Sequence, residues 1–165
     1  MENWDRFFNE FYPAIYRYTH SRLRDREAAE DITQEVFLKI AKNYGQYDKD
    51  RGNLHAWVWQ IVRNAYTDFL RSRGRKKENT ESYLDVDLDA SPTREHNIYA
   101  SDDIERIMKI VENFPEDDQE LFRLRFISEF SYPEIAEVTG RTVNAVGVAL
   151  HRIRERIKNA YDRKN

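Results

Sequence analysis

Apolar positions along this chain recur at helical spacing, three or four residues apart, and strict alternation is scarce. Between Asn3 and Arg24 the residues Trp4, Phe7, Phe8, Phe11, Ile15 and Tyr18 set a helical period, which Pro13 is placed to kink or restart. A second helix is predicted from about Glu27 to Asn43. Its core stripe is Ala29, Ile32, Val36 and Ile40, with Phe37 and Tyr44 at the margin and Asp31, Gln34, Leu38 and Lys42 opposite. Residues 45–52 (GQYDKDRG) read as a loop. A third helix, Asn53 to Arg73, buries Leu54, Trp57, Val58, Ile61 and Ala65. Its far side holds Trp59, Arg63, Tyr66, Leu70 and Arg73 and runs into Arg71, Arg75, Lys76 and Lys77. Helical period is lost over residues 78–100 and resumes from Ser101 to Asn113 with Ile104, Ile107, Met108 and Val111. Pro115 then suits the first position of a helix whose opening turn is Glu116, Asp117 and Asp118, followed by Leu121, Phe122, Leu124 and Ile127.

The stretch from Ser131 to Lys158 carries the most specific local signals. Ser131 and Glu134 stand at capping-box spacing before Ile135, Ala136 and Val138. Gly140 supplies the residue that a tight turn with positive φ requires, and Thr142 reads as the N-cap of a longer helix. Val143, Val146, Leu150, Ile153 and Ile157 are that helix's predicted buried stripe. Two short helices joined in this way match a helix-turn-helix, whose second helix enters a DNA major groove; the alternative is an ordinary helical hairpin.

Charge separates these two. Residues 101–140 hold 4 Lys and Arg against 11 Asp and Glu, net −7, whereas residues 141–165 hold 7 against 2, net +5. A basic surface concentrated on Arg141, Arg152, Arg154, Arg156 and Lys158 suits phosphate contact better than a mixed solvated face does. The overall charge of −3 hides this polarity. Residues 1–77 are net +4 and residues 78–100 net −5, so the pattern predicts an all-α protein of two small helical domains joined by a flexible acidic linker. The boundaries are 1–77 for the N-terminal helical bundle, 78–100 for the linker and 101–165 for the helix-turn-helix domain.

Composition narrows the remaining classes. Forty per cent apolar content with 22 aromatic residues is enough for packed cores. The absence of Cys excludes disulfides, thiolate zinc sites and thiol catalysis, and the four His residues show no ligand pairing, so neither a metal nor a cofactor is expected. No phosphate-cradling glycine loop or Ser/His/Asp set is present, which argues against an enzyme. With no apolar run near the length of a membrane span and a polar start, MENWDR, neither membrane insertion nor a signal peptide is expected, and a cytoplasmic location follows.

Two surfaces are left open by the residues themselves. The exposed Leu38 beside acidic and amide groups reads either as a protein contact or as one of the isolated surface leucines that carry no meaning. Trp59 and Tyr66, interleaved with Arg63 and the basic run, read either as stacking platforms for a single strand or as core.

The stretches AEDITQEVFLKI (29–40), HAWVWQIVRNAYTDFLRSRGR (55–75) and FPEDDQELFRLRFISEFSYPEIAEVTG (114–140) resemble the extracytoplasmic-function sigma factors of bacterial RNA polymerase, over nearly the whole chain and in the same order. The resemblance implies that Asp31, Gln34, Glu35 and Leu38 meet the β′ clamp helices of core polymerase. It further implies that Gln60, Arg63, Asn64, Thr67, Asp68 and Arg71, with Arg73 beyond them, capture the unpaired strand of the −10 element. Domain four is implied to meet the β flap and read the −35 duplex, with an anti-sigma factor as a further partner. On the wheel Arg141, Asn144, Ala145, Val148 and Arg152 lie opposite the core stripe, and Arg154 and Arg156 add phosphate contacts. The family's usual basic, small polar, basic triplet falls here on Gly147, Val148 and Ala149, which carry no hydrogen-bonding side chain. The competing function is a stand-alone helix-turn-helix regulator, for which neither the acidic linker nor the basic-aromatic helix has a use.

Overall fold

The computed structural model describes residues 4–48, 50, 53–78 and 102–163. Seven α-helices follow one another: α1 (Trp4–Leu23), α2 (Arg26–Asn43), α3 (Leu54–Glu78), α4 (Asp102–Val111), α5 (Glu116–Phe122), α6 (Tyr132–Thr139) and α7 (Val143–Asp162). There is no strand among the described residues. The chain is all-α, in two helical regions. The stretch predicted as a linker lies outside the described residues except Glu78, which ends α3, five residues beyond the predicted Arg73.

Helices α1 to α3 form the first region. The period of α1 places Phe7, Phe11, Ile15 and Tyr18 in the core, and the helix runs unbroken through Pro13, although the ring removes one backbone donor. Ring packing offsets that loss: Phe7 lies 4.6 Å from Phe11 and 6.1 Å from Phe37 of α2. Phe37, expected at the margin, is therefore buried. Asp25 caps α2 by accepting from the Ala28 amide at 3.1 Å. Between α1 and α2 the hydroxyls of Thr19 and Thr33 are buried but satisfied, each donating to the carbonyl four residues earlier.

The second region packs α4 and α5 against α7, with a π-helical turn over Arg123–Ile127 extending α5. Pro115 sits at the cap of α5, one position before its predicted place. The capping box at α6 is complete: Ser131 N donates to Glu134 at 2.7 Å while Glu134 N donates back to the Ser131 hydroxyl. Gly140 adopts φ 68°, and Thr142 caps α7 by accepting from Ala145 N at 3.1 Å. Val143, predicted in the buried stripe, is 48% exposed at the first turn of α7, while Ala149, on the other edge of the stripe, is buried.

The two regions share one continuous apolar core. Helix α3 packs on α6, and α1 packs on the 123–127 turn. Trp59 joins them, with its ring 5.4 Å from Tyr18 and 4.4 Å from Phe130. Two non-glycine residues have positive φ, Arg24 at 52° and Glu129 at 62°. Both reach across the seam, Arg24 to Glu112 and Glu129 to Arg17.

Candidate polymerase and nucleic-acid interfaces

The outer face of α2 carries Asp31, Gln34, Glu35 and Leu38 together, all exposed, and Leu38 keeps 62% of its surface in water. Burying Ile32, Val36 and Ile40 against α1 and α3 forces those four outward, since helix positions half a turn apart cannot both reach a core. Lys39 steadies the edge of the patch, at 2.8 Å from Glu35 and 3.4 Å from Asp68 on α3.

On α3 Gln60, Asn64, Thr67, Asp68, Leu70 and Arg71 are exposed, with Arg63 half-buried. Gln60 donates to Asn64 at 3.1 Å and Thr67 donates to the Arg63 carbonyl at 2.9 Å, which orders the row. Arg71 lies 4.0 Å from Asp68 and stays mostly exposed; Arg73 reaches Asp25 at 3.9 Å. The aromatics are elsewhere. Trp59 is fully buried, and Tyr66 is half-buried beneath the Arg22 guanidinium, 4.7 Å from its ring. Trp59 is not free to stack on a base, so its core reading is the correct one, whereas Tyr66 is packed only partly against the core. The sequence misleads here because α3 has neighbours on two sides, α2 and α6.

Between the regions lies a cleft of about 610 Å³, lined by Arg63, Tyr66, Thr67 and Leu70 on one side and by Glu116, Asp117, Thr139 and Arg141 on the other. Its floor is a buried polar cluster that sequence reasoning did not find. Glu120 accepts from the Tyr18 hydroxyl at 2.8 Å and from Arg22 at 3.0 Å, with Arg63 at 3.9 Å. Burial first, and Glu120 second, push the Tyr18 phenol far above its ordinary value. Burial pulls Arg22 down, but Tyr18 and Glu120 outweigh it and hold the guanidinium charged. Arg123 is buried beside them; burial, then Arg22, lower its affinity for a proton, and its Nε has no partner among the described residues. At the other end of the seam His55 meets Glu134 at 3.1 Å.

On helix α7 the predicted outward positions Asn144, Ala145, Val148 and Arg152 are all exposed, as is His151, and Val148 keeps 62% of its surface in water. Gly147 is half-buried, and a Cβ there would meet the Tyr132 ring at 3.6 Å, an ordinary contact. With Ala149 buried, only Val148 of the 147–149 triplet points outward. The basic residues are partly engaged by α5. Arg141 pairs with Asp117 at 2.7 Å, while Arg152 and Arg156 share Asp118 at 3.0 and 2.9 Å. Arg154 is exposed. No group of three or more His, Asp or Glu residues suited to a metal ion occurs among the described residues, and none of their helices is long and apolar enough to cross a membrane.

Comparison with known proteins agrees with this arrangement. Residues 7–76 match the model of Sigma-70 region 2, and residues 104–157 match that of Sigma-70 region 4. The ECF RNA polymerase sigma factor SigM of Bacillus subtilis is 26% identical over 164 residues, covering 96% of this chain and 95% of its own length. The ECF RNA polymerase sigma factor BldN of Streptomyces coelicolor is 29% identical over 149 residues, 89% of this chain but 56% of the relative. In fold, the chain is similar to the sigma factor RpoE solved with the anti-sigma factor NepR from Bartonella quintana, at TM-score 0.69, 22% identity and 98% coverage of both chains. With both conserved regions matched in order and helices in place for each, this chain belongs to the extracytoplasmic-function sigma factors of the sigma-70 family.

Proposed function

We propose that this chain is an alternative sigma factor that binds core RNA polymerase in the cytoplasm, recognises −10 and −35 promoter elements and promotes melting between them. The observation that carries the reading is the row Gln60, Asn64, Thr67 and Arg71 on α3, three neutral hydrogen-bonding groups and a cation, with Asp68 beside Arg71. Unpaired bases expose Watson–Crick edges that amides and hydroxyls can bind, whereas duplex phosphates call for a denser row of cations. The α2 patch of Asp31, Gln34, Glu35 and Leu38 gives core polymerase a separate surface, pointing away from the core. The boundaries proposed for the working parts are 1–77, 78–100 and 101–165.

Arg63 and Arg141 line the same cleft, so the two DNA-facing regions here lie side by side. Promoter elements roughly 25 base pairs apart are on the order of 80 Å apart. Residues 78–100 can span about 80 Å when extended, so separation of the regions on the promoter is within reach of the chain. A sigma factor acts by binding, with no reaction of its own. The similar sigma factor RpoE is solved with the anti-sigma factor NepR, and CnrH, of similar fold, with the cytosolic domain of CnrY, which supports a similar anti-sigma partner for this chain.

Run-off transcription with core polymerase tests the reading, since a stand-alone regulator supports none. Leu38→Asp places a charge on an already exposed position, so helical content should be unchanged while core binding and transcript are lost. Wild-type capture of core by that variant would remove α2 from the interface.

A further inference from the structure

Asp118 is the acid most deeply enclosed beside α7, its side chain 6% exposed. Its two oxygens are divided between two cations: Oδ1 accepts from Arg152 Nη2 at 3.0 Å and Oδ2 from Arg156 Nη1 at 2.9 Å. The Arg156 guanidinium also lies 4.0 Å over the centre of the Phe114 ring. Asp118 engages a single nitrogen of each guanidinium in these bonds, and the Arg152 side chain remains 61% exposed. Each guanidinium carries five N–H donors in a rigid fork, so most of them remain for another acceptor.

We propose that Asp118 is a positioning residue for duplex binding: it holds Arg152 and Arg156, one helical turn apart, with their remaining donors turned toward the phosphate backbone. The inference rests on the reading of α7 as the duplex-binding helix. Long cationic side chains lose rotamer freedom when they grip a phosphate, and an anchor that fixes them at folding removes part of that loss from the binding step. Bulk electrostatics predicts the opposite sign, because deleting an acid beside a polyanion's site should tighten binding. The sign of one substitution therefore separates positioning from charge.

The experiment uses the full chain and a short mixed-sequence DNA duplex, which suffices because phosphate contacts carry no sequence information. Affinity is measured across a salt series for wild type, Asp118→Asn, Arg152→Ala, Arg156→Ala and the combination of all three, with thermal unfolding of each. The expected result is that Asp118→Asn weakens binding about fivefold although it adds net positive charge, and has no further effect once both arginines are gone. A merely structural tie would move the unfolding midpoint without that dependence on the arginines. Asp118→Glu covers the case in which Asp118→Asn is too unstable to assay: weakened binding at unchanged charge supports positioning, and wild-type affinity overturns it. If Arg152→Ala and Arg156→Ala weaken binding while Asp118→Asn binds as well as wild type or better, the positioning role is wrong and the duplex reading of α7 stands. If neither arginine matters, that reading falls and the role of Asp118 falls with it.

Discussion

Helices α3 and α7 each present a polar face to solvent, and they do it with opposite means. On α3 the face carries Gln60, Asn64 and Thr67, neutral groups tied to one another and to the backbone, followed by the exposed, opposite charges of Asp68 and Arg71. On α7 the centre is Val148 with Asn144 and His151, and the outlying charge of Arg141, Arg152 and Arg156 is held by acids of α5. The first arrangement suits the exposed edges of unpaired bases; the second suits a backbone whose charge is everywhere and whose bases are reached through the groove. On the proposed reading, one chain divides promoter recognition between hydrogen-bond readout on one helix and phosphate contact on the other.

The sharpest break of this comparison is at Trp59. Were it a stacking platform on α3, Trp59→Ala would cost DNA affinity and little stability. Fully buried between Tyr18 and Phe130, it should instead cost about 3–5 kcal/mol of folding free energy. Chemical denaturation of the variant checks this. Because Trp59 touches both regions, the loss should appear in a single transition; two separated transitions would mean that the regions fold apart.

Next in size is Asn64. Asn64→Ala removes an exposed amide and the acceptor that orders Gln60, and on the proposed reading should weaken capture of an unpaired −10 strand by about 1–3 kcal/mol. The defect should persist on a template already unpaired at that element, because capture uses the same groups. Permanganate footprinting with equal reactivity for wild type and variant would mean that α3 reads its strand through the cations alone.

Local signals were the legible part of this molecule. The capping box, the glycine at φ 68° and the Thr142 cap each need only four or five consecutive residues, and each stands where the sequence put it. The outward Leu38 was legible too, as an exception to the period of α2. What the sequence did not reveal depends on which helices meet. Asp118 looks like an acid placed for a helix N-terminus, and its burial against α7 comes from packing of α5. Glu120 lies 102 residues from Tyr18 and 98 from Arg22 in the chain, so no spacing rule joins it to them. The wheel of α7 erred at Val143 for the same reason, since only the tertiary partner decides where a buried stripe begins.

Arg154 provides a smaller and cleaner test of the α7 side. It is exposed and lies outside the Asp118 clamp, so on the proposed reading its removal reports a single phosphate contact. Arg154→Ala should weaken all duplex sequences nearly alike and reduce the slope of log affinity against log salt by about one. A loss confined to one base position would make Arg154 a direct reader and remove the contrast with α3.

The smallest effect expected is a pH dependence at the junction of α3 and α6. Burial alone would raise the Glu134 carboxyl, but the hydroxyl and amide of Ser131 and the nearby His55 outweigh it and hold the carboxyl below its ordinary value. A carboxyl lowered in the folded state contributes stability that is complete above its unfolded value, near 4.3, and is lost as pH falls through the folded value. Protonation removes the charge that the Ser131 amide meets at 2.7 Å and that His55 meets at 3.1 Å, loosening the cap and the seam together. Glu134→Gln should therefore lower stability at neutral pH by about 1 kcal/mol or less, and the gap to wild type should narrow as pH drops from about 6 toward 3. Thermal unfolding of both proteins across that range gives the comparison. A gap that stays constant with pH would mean that the cap works through geometry alone.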